Sequence, residues 1–129
     1  MRAALAVLGR AKMERQGRRI AVLGDMLELG PDAGVLHAGL AEAVVANTID
    51  LVYCCGPQMR HLWEALSANR RGFYAENAAG LESELLGEIR ADDAIMIKGS
   101  LGSKMGILVK ALERRYPRFK ALEDAPVQG

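Results

Sequence analysis

The chain has 129 residues, of which 50% are hydrophobic and 26% charged. This is the composition and length of one globular domain, enough for a single core and too little for a complete multi-step enzyme. With 17 Lys and Arg against 16 Asp and Glu, the net charge is +1, which argues against nucleic acid or an anionic membrane as the main partner.

Met1 to Ala11 is apolar with Arg2 and Arg10 at helical spacing. No small-residue cleavage site follows, so it reads as an amphipathic helix and not a signal peptide. No apolar run reaches the roughly 20 residues that span a bilayer. Arg19 to Gly24 (RIAVLG) is a compact apolar run ending in glycine, and Leu51 to Gly56 (LVYCCG) repeats the pattern. Ala94 to Ile97 (AIMI) is a third, and Gly72 to Ala75 (GFYA) a weaker fourth. Continuous apolar runs suit strands covered on both faces.

Helices are predicted between them. Pro31 to Asn47 carries a stripe of Val35, Leu36, Leu40, Ala43 and Val44, and Pro57 to Asn69 one of Met59, Leu62, Trp63 and Leu66. Asn77 is a suitable N-cap for Ala78 to Arg90, with Leu81, Leu85 and Ile89 inward. Ser103 to Tyr116 turns Ile107, Leu108, Ala111 and Leu112 to the core, and Pro117 ends it. The domain therefore covers residues 1–117, and 118–129 reads as a flexible tail. One helix followed by four βα units predicts a single α/β domain: a Rossmann-like, open, mainly parallel sheet with helices on both faces.

In such sheets ligands bind beyond the carboxyl ends of the strands, where strand order reverses. For an order 3-2-1-4 that places the first and fourth exits side by side. The first is Gly24-Asp25-Met26-Leu27-Glu28-Leu29-Gly30. Asp25 and Glu28 could cap, bind a metal or contact a polar ligand. The fourth is Lys98-Gly99-Ser100-Leu101-Gly102-Ser103-Lys104. Its glycines, hydroxyls and lysines at a helix N-terminus suit an anion, although the spacing is not that of a P-loop. A plain small-residue turn with solvated lysines is the alternative. His37 either faces this crevice or packs structurally, the second being the commoner fate. The basic residues Lys12, Arg15, Arg18 and Arg19 read as a solvated connection. Adjacent Cys54 and Cys55 point to opposite faces of a strand and read as reduced, buried thiols of a cytoplasmic protein.

The motif at residues 24–30, His37 downstream and Lys98-Gly99-Ser100 after the last core strand resemble the C-terminal domain of the Mur ligases. Within that family they are similar to the branch that adds D-Ala-D-Ala to UDP-N-acetylmuramoyl-tripeptide in peptidoglycan precursor synthesis. The likeness runs from Met1 to about Tyr116. It implies an ATP-dependent reaction through an acyl phosphate, with ATP and Mg2+ bound mainly by a central domain that this sequence lacks. It implies the remaining ligase domains, the UDP-linked tripeptide and the dipeptide as partners, with no nucleic acid and no membrane span. Asp25, Met26, Glu28 and Leu29 would face the active site, with Lys98, Gly99 and Ser100 beside them and His37 in support. No metal ligand set is expected in this domain. Two positions depart from the family pattern: Leu101 stands where arginine is usual, and Gly106 where glutamate is. With no Walker-type glycine-lysine-threonine loop, the isolated chain is expected to be inactive. A free-standing module that binds a nucleotide or other small anion is the alternative.

Overall fold

The computed structural model describes residues 1–13, 17–26, 30–117 and 119. Four parallel strands form one sheet: β1 (Arg19–Gly24), β2 (Leu51–Cys55), β3 (Arg71–Ala75) and β4 (Ala94–Lys98), in the order β3-β2-β1-β4. The helices are α1 (Arg2–Gly9), α2 (Ala33–Ala46), α3 (Met59–Ala65), α4 (Ala78–Glu88) and α5 (Gly106–Arg115). Short 3-10 turns stand at Gly30–Asp32, Ala68–Arg70 and Leu101–Ser103.

The period of two along each strand divides the core in two. Ala21 and Leu23 of β1, Val52 and Cys54 of β2, and Met96 of β4 face α1, α2 and α3. Ile20, Val22, Tyr53, Cys55 and Ile95 face α4 and α5. The sheet is thus covered on both sides, which is why β1, β2 and β4 are largely apolar, while the edge strand β3 is only partly buried. It also sends Cys54 and Cys55 to opposite faces, as expected, both as free thiols.

The helices differ from expectation at their ends. In α2 the buried residues are His37, Leu40, Ala43 and Val44, while Val35 is 75% and Leu36 47% exposed. Helix α3 ends early because Leu66 turns extended. Asn77 caps α4 as predicted, its side chain accepting from Gly80 N at 3.0 Å. Of the predicted tail, only Phe119 lies within the described residues. Its amide donates to Tyr116 O.

The amino ends of the strands are tied together by side chains. Asp93 accepts from the Arg18 guanidinium at 2.8 and 3.0 Å. Arg19 donates to the carbonyls of Leu8 and Ala11. Arg18 and Arg19 are therefore structural ties, not part of a solvated connection. Arg15 lies outside the described residues.

Candidate functional site

At the carboxyl ends, β1 and β4 leave the sheet almost in contact. A Cβ on Gly99 would lie 3.1 Å from the Gly24 Cα and 2.8 Å from Met105 Cγ. Only residues without side chains allow this approach. The two exits are then laced together. Asp25 O accepts from Ser100 N and from Ser103 Oγ, each at 3.0 Å, and Ser100 Oγ lies 3.0 Å from Ser103 Oγ.

The Asp25 side chain turns toward the exit of β2. Its carboxylate accepts from Gln58 N at 3.1 Å and Met59 N at 2.8 Å, closing the open amides where α3 begins. Negative charge is favourable at that helix end. Gly56, at φ +104, passes beneath it. Of the roles open to Asp25, the structure shows capping.

His37 is fully buried. Its Nε2 accepts from Met26 N at 3.2 Å and its Nδ1 lies 2.6 Å from Ala33 O. Both contacts are satisfied only by the neutral imidazole carrying its proton on Nδ1. His37 thus holds the start of the first loop from within the α2 side of the core.

Between these exits and the helices α4 and α5 lies a cleft of about 470 Å³. Asp25 and Ser100 line it, and so do Gly56 and Pro57 after β2, Glu76 and Asn77 after β3, and Ser103 and Lys104 before α5. All four strand exits contribute. Among the other predicted site residues, Met26 packs toward the α1–α3 core, and Gly99 is committed to the Gly24 contact. Lys98 is half-buried at the end of β4. Glu28 and Leu29 lie outside the described residues. Local chemistry alone singles out the exits of β1 and β4. Yet the rule that places ligands at strand carboxyl ends applies to them equally, and the Asn77 cap already marked where α4 opens its amides.

Among the described residues no three His, Cys, Asp or Glu side chains come together to hold a metal ion. Likewise, no helix is long and apolar enough to cross a membrane. The chemistry at the cleft is that of hydroxyls, helix amides, the carboxylates of Glu76 and Asp25 and the ammonium of Lys104.

Cys55 borders the cleft but is buried, its Sγ–H directed at Met105 Sδ at 3.5 Å. Burial pushes its thiol up from an ordinary 9.0 to about 11, with the Asp25 charge adding to the shift. Cys54 is driven up further, again by burial. Tyr53, whose hydroxyl has no hydrogen-bond partner among the described residues, is pushed by burial from 10.0 to about 12. In each case folding favours the protonated form. The folded state therefore binds more protons than the unfolded state above pH 9, and stability falls as pH rises toward 12. Two outcomes are expected: a declining urea midpoint from pH 9 upward, and cysteines that resist alkylation at pH 8 until the chain unfolds. Rapid alkylation of the folded chain at pH 8 would contradict this burial.

The comparisons with known proteins agree with this geometry. The family described as Mur ligase, glutamate ligase domain, matches residues 1–101. The chain is 34% identical over 113 residues to UDP-N-acetylmuramoyl-tripeptide–D-alanyl-D-alanine ligase of Escherichia coli K12, covering 88% of the chain and 24% of that protein. The ligase of the same name from Treponema pallidum (strain Nichols) is 32% identical over 105 residues, covering 79% of the chain and 21% of the relative. The chain thus spans under a quarter of the length of either relative. The crystal structure of MurF ligase from Thermotoga maritima in complex with ADP shares the fold, at a TM-score of 0.60 and 22% identity over 76% of this chain and 22% of that one. A sheet of order β3-β2-β1-β4 whose four exits frame one cleft, matched by the family over most of its length, identifies the chain: it belongs to the Mur ligase family, as its C-terminal, glutamate ligase domain.

Proposed function

We propose that this chain is the substrate-positioning and closing domain of an ATP-dependent ligase that joins D-Ala-D-Ala to UDP-N-acetylmuramoyl-tripeptide. The observation that carries the reading is the coverage of the match to the Escherichia coli ligase. A match over 88% of the chain necessarily includes both loops, Gly24–Met26 and Lys98–Lys104, that frame the cleft. The aligned stretch therefore spans the site as well as the sheet.

ATP, held by another domain, supplies the activation of the tripeptide carboxylate. Among the described residues no three His, Cys, Asp or Glu side chains gather around a site for Mg2+, which would accompany the nucleotide. The work left to this chain is to receive the dipeptide, orient its amine and cover it. A fixed amine reacts far more readily than one delivered from solution, because its translational and rotational freedom is already spent. Closure also keeps water from an activated carboxyl group that would otherwise hydrolyse. The laced β1 and β4 exits suit that task. The hydrogen bonds from Ser100 and Ser103 to Asp25 O fix the cleft floor before substrate arrives.

The test is turnover. The ligase polypeptide that carries this domain is expected to form the pentapeptide, with one ADP and one phosphate released per bond. The 129-residue chain alone is expected to hydrolyse no ATP. Product formed as well with single D-alanine as with the dipeptide, or ATPase activity of the chain alone, would overturn the assignment.

A further inference from the structure

Side chains of opposite charge line the cleft. Glu76 and Asn77 follow β3, and Ala78 and Ala79 then open α4. The first amides of a helix have no partner within it. Asn77 takes that of Gly80, while Ala78 and Ala79 border the cleft. Lys104 lines the same cleft just before α5, exposed and in a left-handed conformation at φ 54. Glycine would adopt that conformation without strain, but would leave the cleft without that charge. Lys104 is the cation lining the cleft among the described residues. Asp25, the remaining acid there, already accepts two α3 amides, which leaves Glu76 as the acid directed to other uses.

We propose that Lys104 is the specificity-determining residue of this cleft: its ammonium binds the free carboxylate of the incoming dipeptide. This deepens the proposed function and rests on it. A dipeptide is a zwitterion, and the cleft offers an acceptor for its amine end in Glu76 and a cation for its carboxyl end in Lys104. An ammonium on a flexible stem can follow the carboxylate as the domain closes. Selection would then fall on the charge at the far end of the amine donor, and an amidated dipeptide would be refused.

The experiment titrates the isotopically labelled 129-residue chain with D-Ala-D-Ala, with its C-terminal amide and with inorganic phosphate, followed by amide chemical shifts. The dipeptide should move the signals of Ala78, Ala79, Ser103 and Lys104 saturably, and the amide should bind about tenfold more weakly. Lys104→Ala should weaken the dipeptide about tenfold and abolish its advantage over the amide, while Lys104→Arg restores both. Lys104→Gly separates charge from backbone: it relieves the left-handed strain, so the melting temperature should hold or rise while affinity is lost. If the alanine variant still prefers the dipeptide over its amide, the Lys104 assignment fails and the domain's function stands. If phosphate moves the cleft signals and the dipeptide does not, the cleft is a phosphate site and the dipeptide reading fails with it.

Discussion

Gly56→Ala should destabilise the protein by about 3–5 kcal/mol and lower its melting temperature by roughly 10–20 °C. Gly56 sits at φ +104, outside even the left-handed well that asparagine tolerates. The added Cβ would lie 2.5 Å from both Cγ and Oδ1 of Asp25. The backbone cannot swing away, because Gly56 N is bonded to Ala75 O at 3.1 Å and Gly56 O to the Tyr74 hydroxyl at 2.9 Å. The Asp25 carboxylate must then leave Gln58 and Met59, and each such bond to a charged acceptor contributes about 1.5–3 kcal/mol. A double-mutant cycle isolates the collision. With Asp25→Ala already in place, the cap is gone and so are the three atoms nearest the added Cβ, so Gly56→Ala should cost little beyond its backbone strain. Urea midpoints of the four proteins would show it. Additivity to within about 0.5 kcal/mol would mean that the two residues do not interact.

That collision explains why the role of Asp25 could not be read from sequence. An acid at a strand's carboxyl end has several possible partners, and spacing does not choose among them. Its partners here, Gln58 and Met59, lie 33 and 34 residues away and arrive only when β2 pairs with β1. The sheet was far more legible. Parallel strands buried on both faces must be apolar throughout, so β1, β2 and β4 announced themselves by composition. The order β3-β2-β1-β4 followed as an assumption that the structure bears out.

Helix α2 shows the limit of periodicity. Val35 and Leu36 fit an apolar stripe, yet the buried position in that turn is His37. Hydropathy ranks imidazole as polar, but a polar group is buried at little cost when both its nitrogens are bonded, as Met26 N and Ala33 O provide. The cleft was only half legible for a similar reason. Local chemistry singled out the loops after β1 and β4. The contribution of Glu76 to Ala79 depends on which face α4 packs against, a fact of tertiary structure.

At the opposite end of the sheet from the cleft, breaking the Arg18–Asp93 pair should cost about 3–5 kcal/mol while leaving ligand binding intact. The Asp93 side chain is fully buried, and that of Arg18 is 18% exposed. Asp93 accepts from Arg18 Nη2 at 2.8 Å, Arg18 Nε at 3.0 Å, Arg18 N at 3.3 Å and Arg90 N at 2.8 Å. Arg18 Nη2 also reaches Glu88 O at 2.8 Å, and Arg18 O receives Ala94 N at 2.8 Å. One pair thus joins the end of α4, the turn before β4 and the entry to β1. The two truncations are not equivalent. Arg18→Ala leaves the Asp93 carboxylate with only the amides of residues 18 and 90 as donors, whereas Asp93→Ala leaves a guanidinium that keeps the Glu88 carbonyl and can turn outward. Arg18→Ala should therefore be the costlier change, and the double variant should cost less than the sum, since it leaves no buried charge. Denaturant midpoints measure the ordering, and equal costs would remove the buried charge as the cause. Because the pair lies at the strands' amino ends, either variant, at temperatures where it stays folded, should bind the dipeptide as the parent chain does. Loss of affinity there would mean that the cleft's geometry depends on the whole sheet and not on the laced exits of β1 and β4.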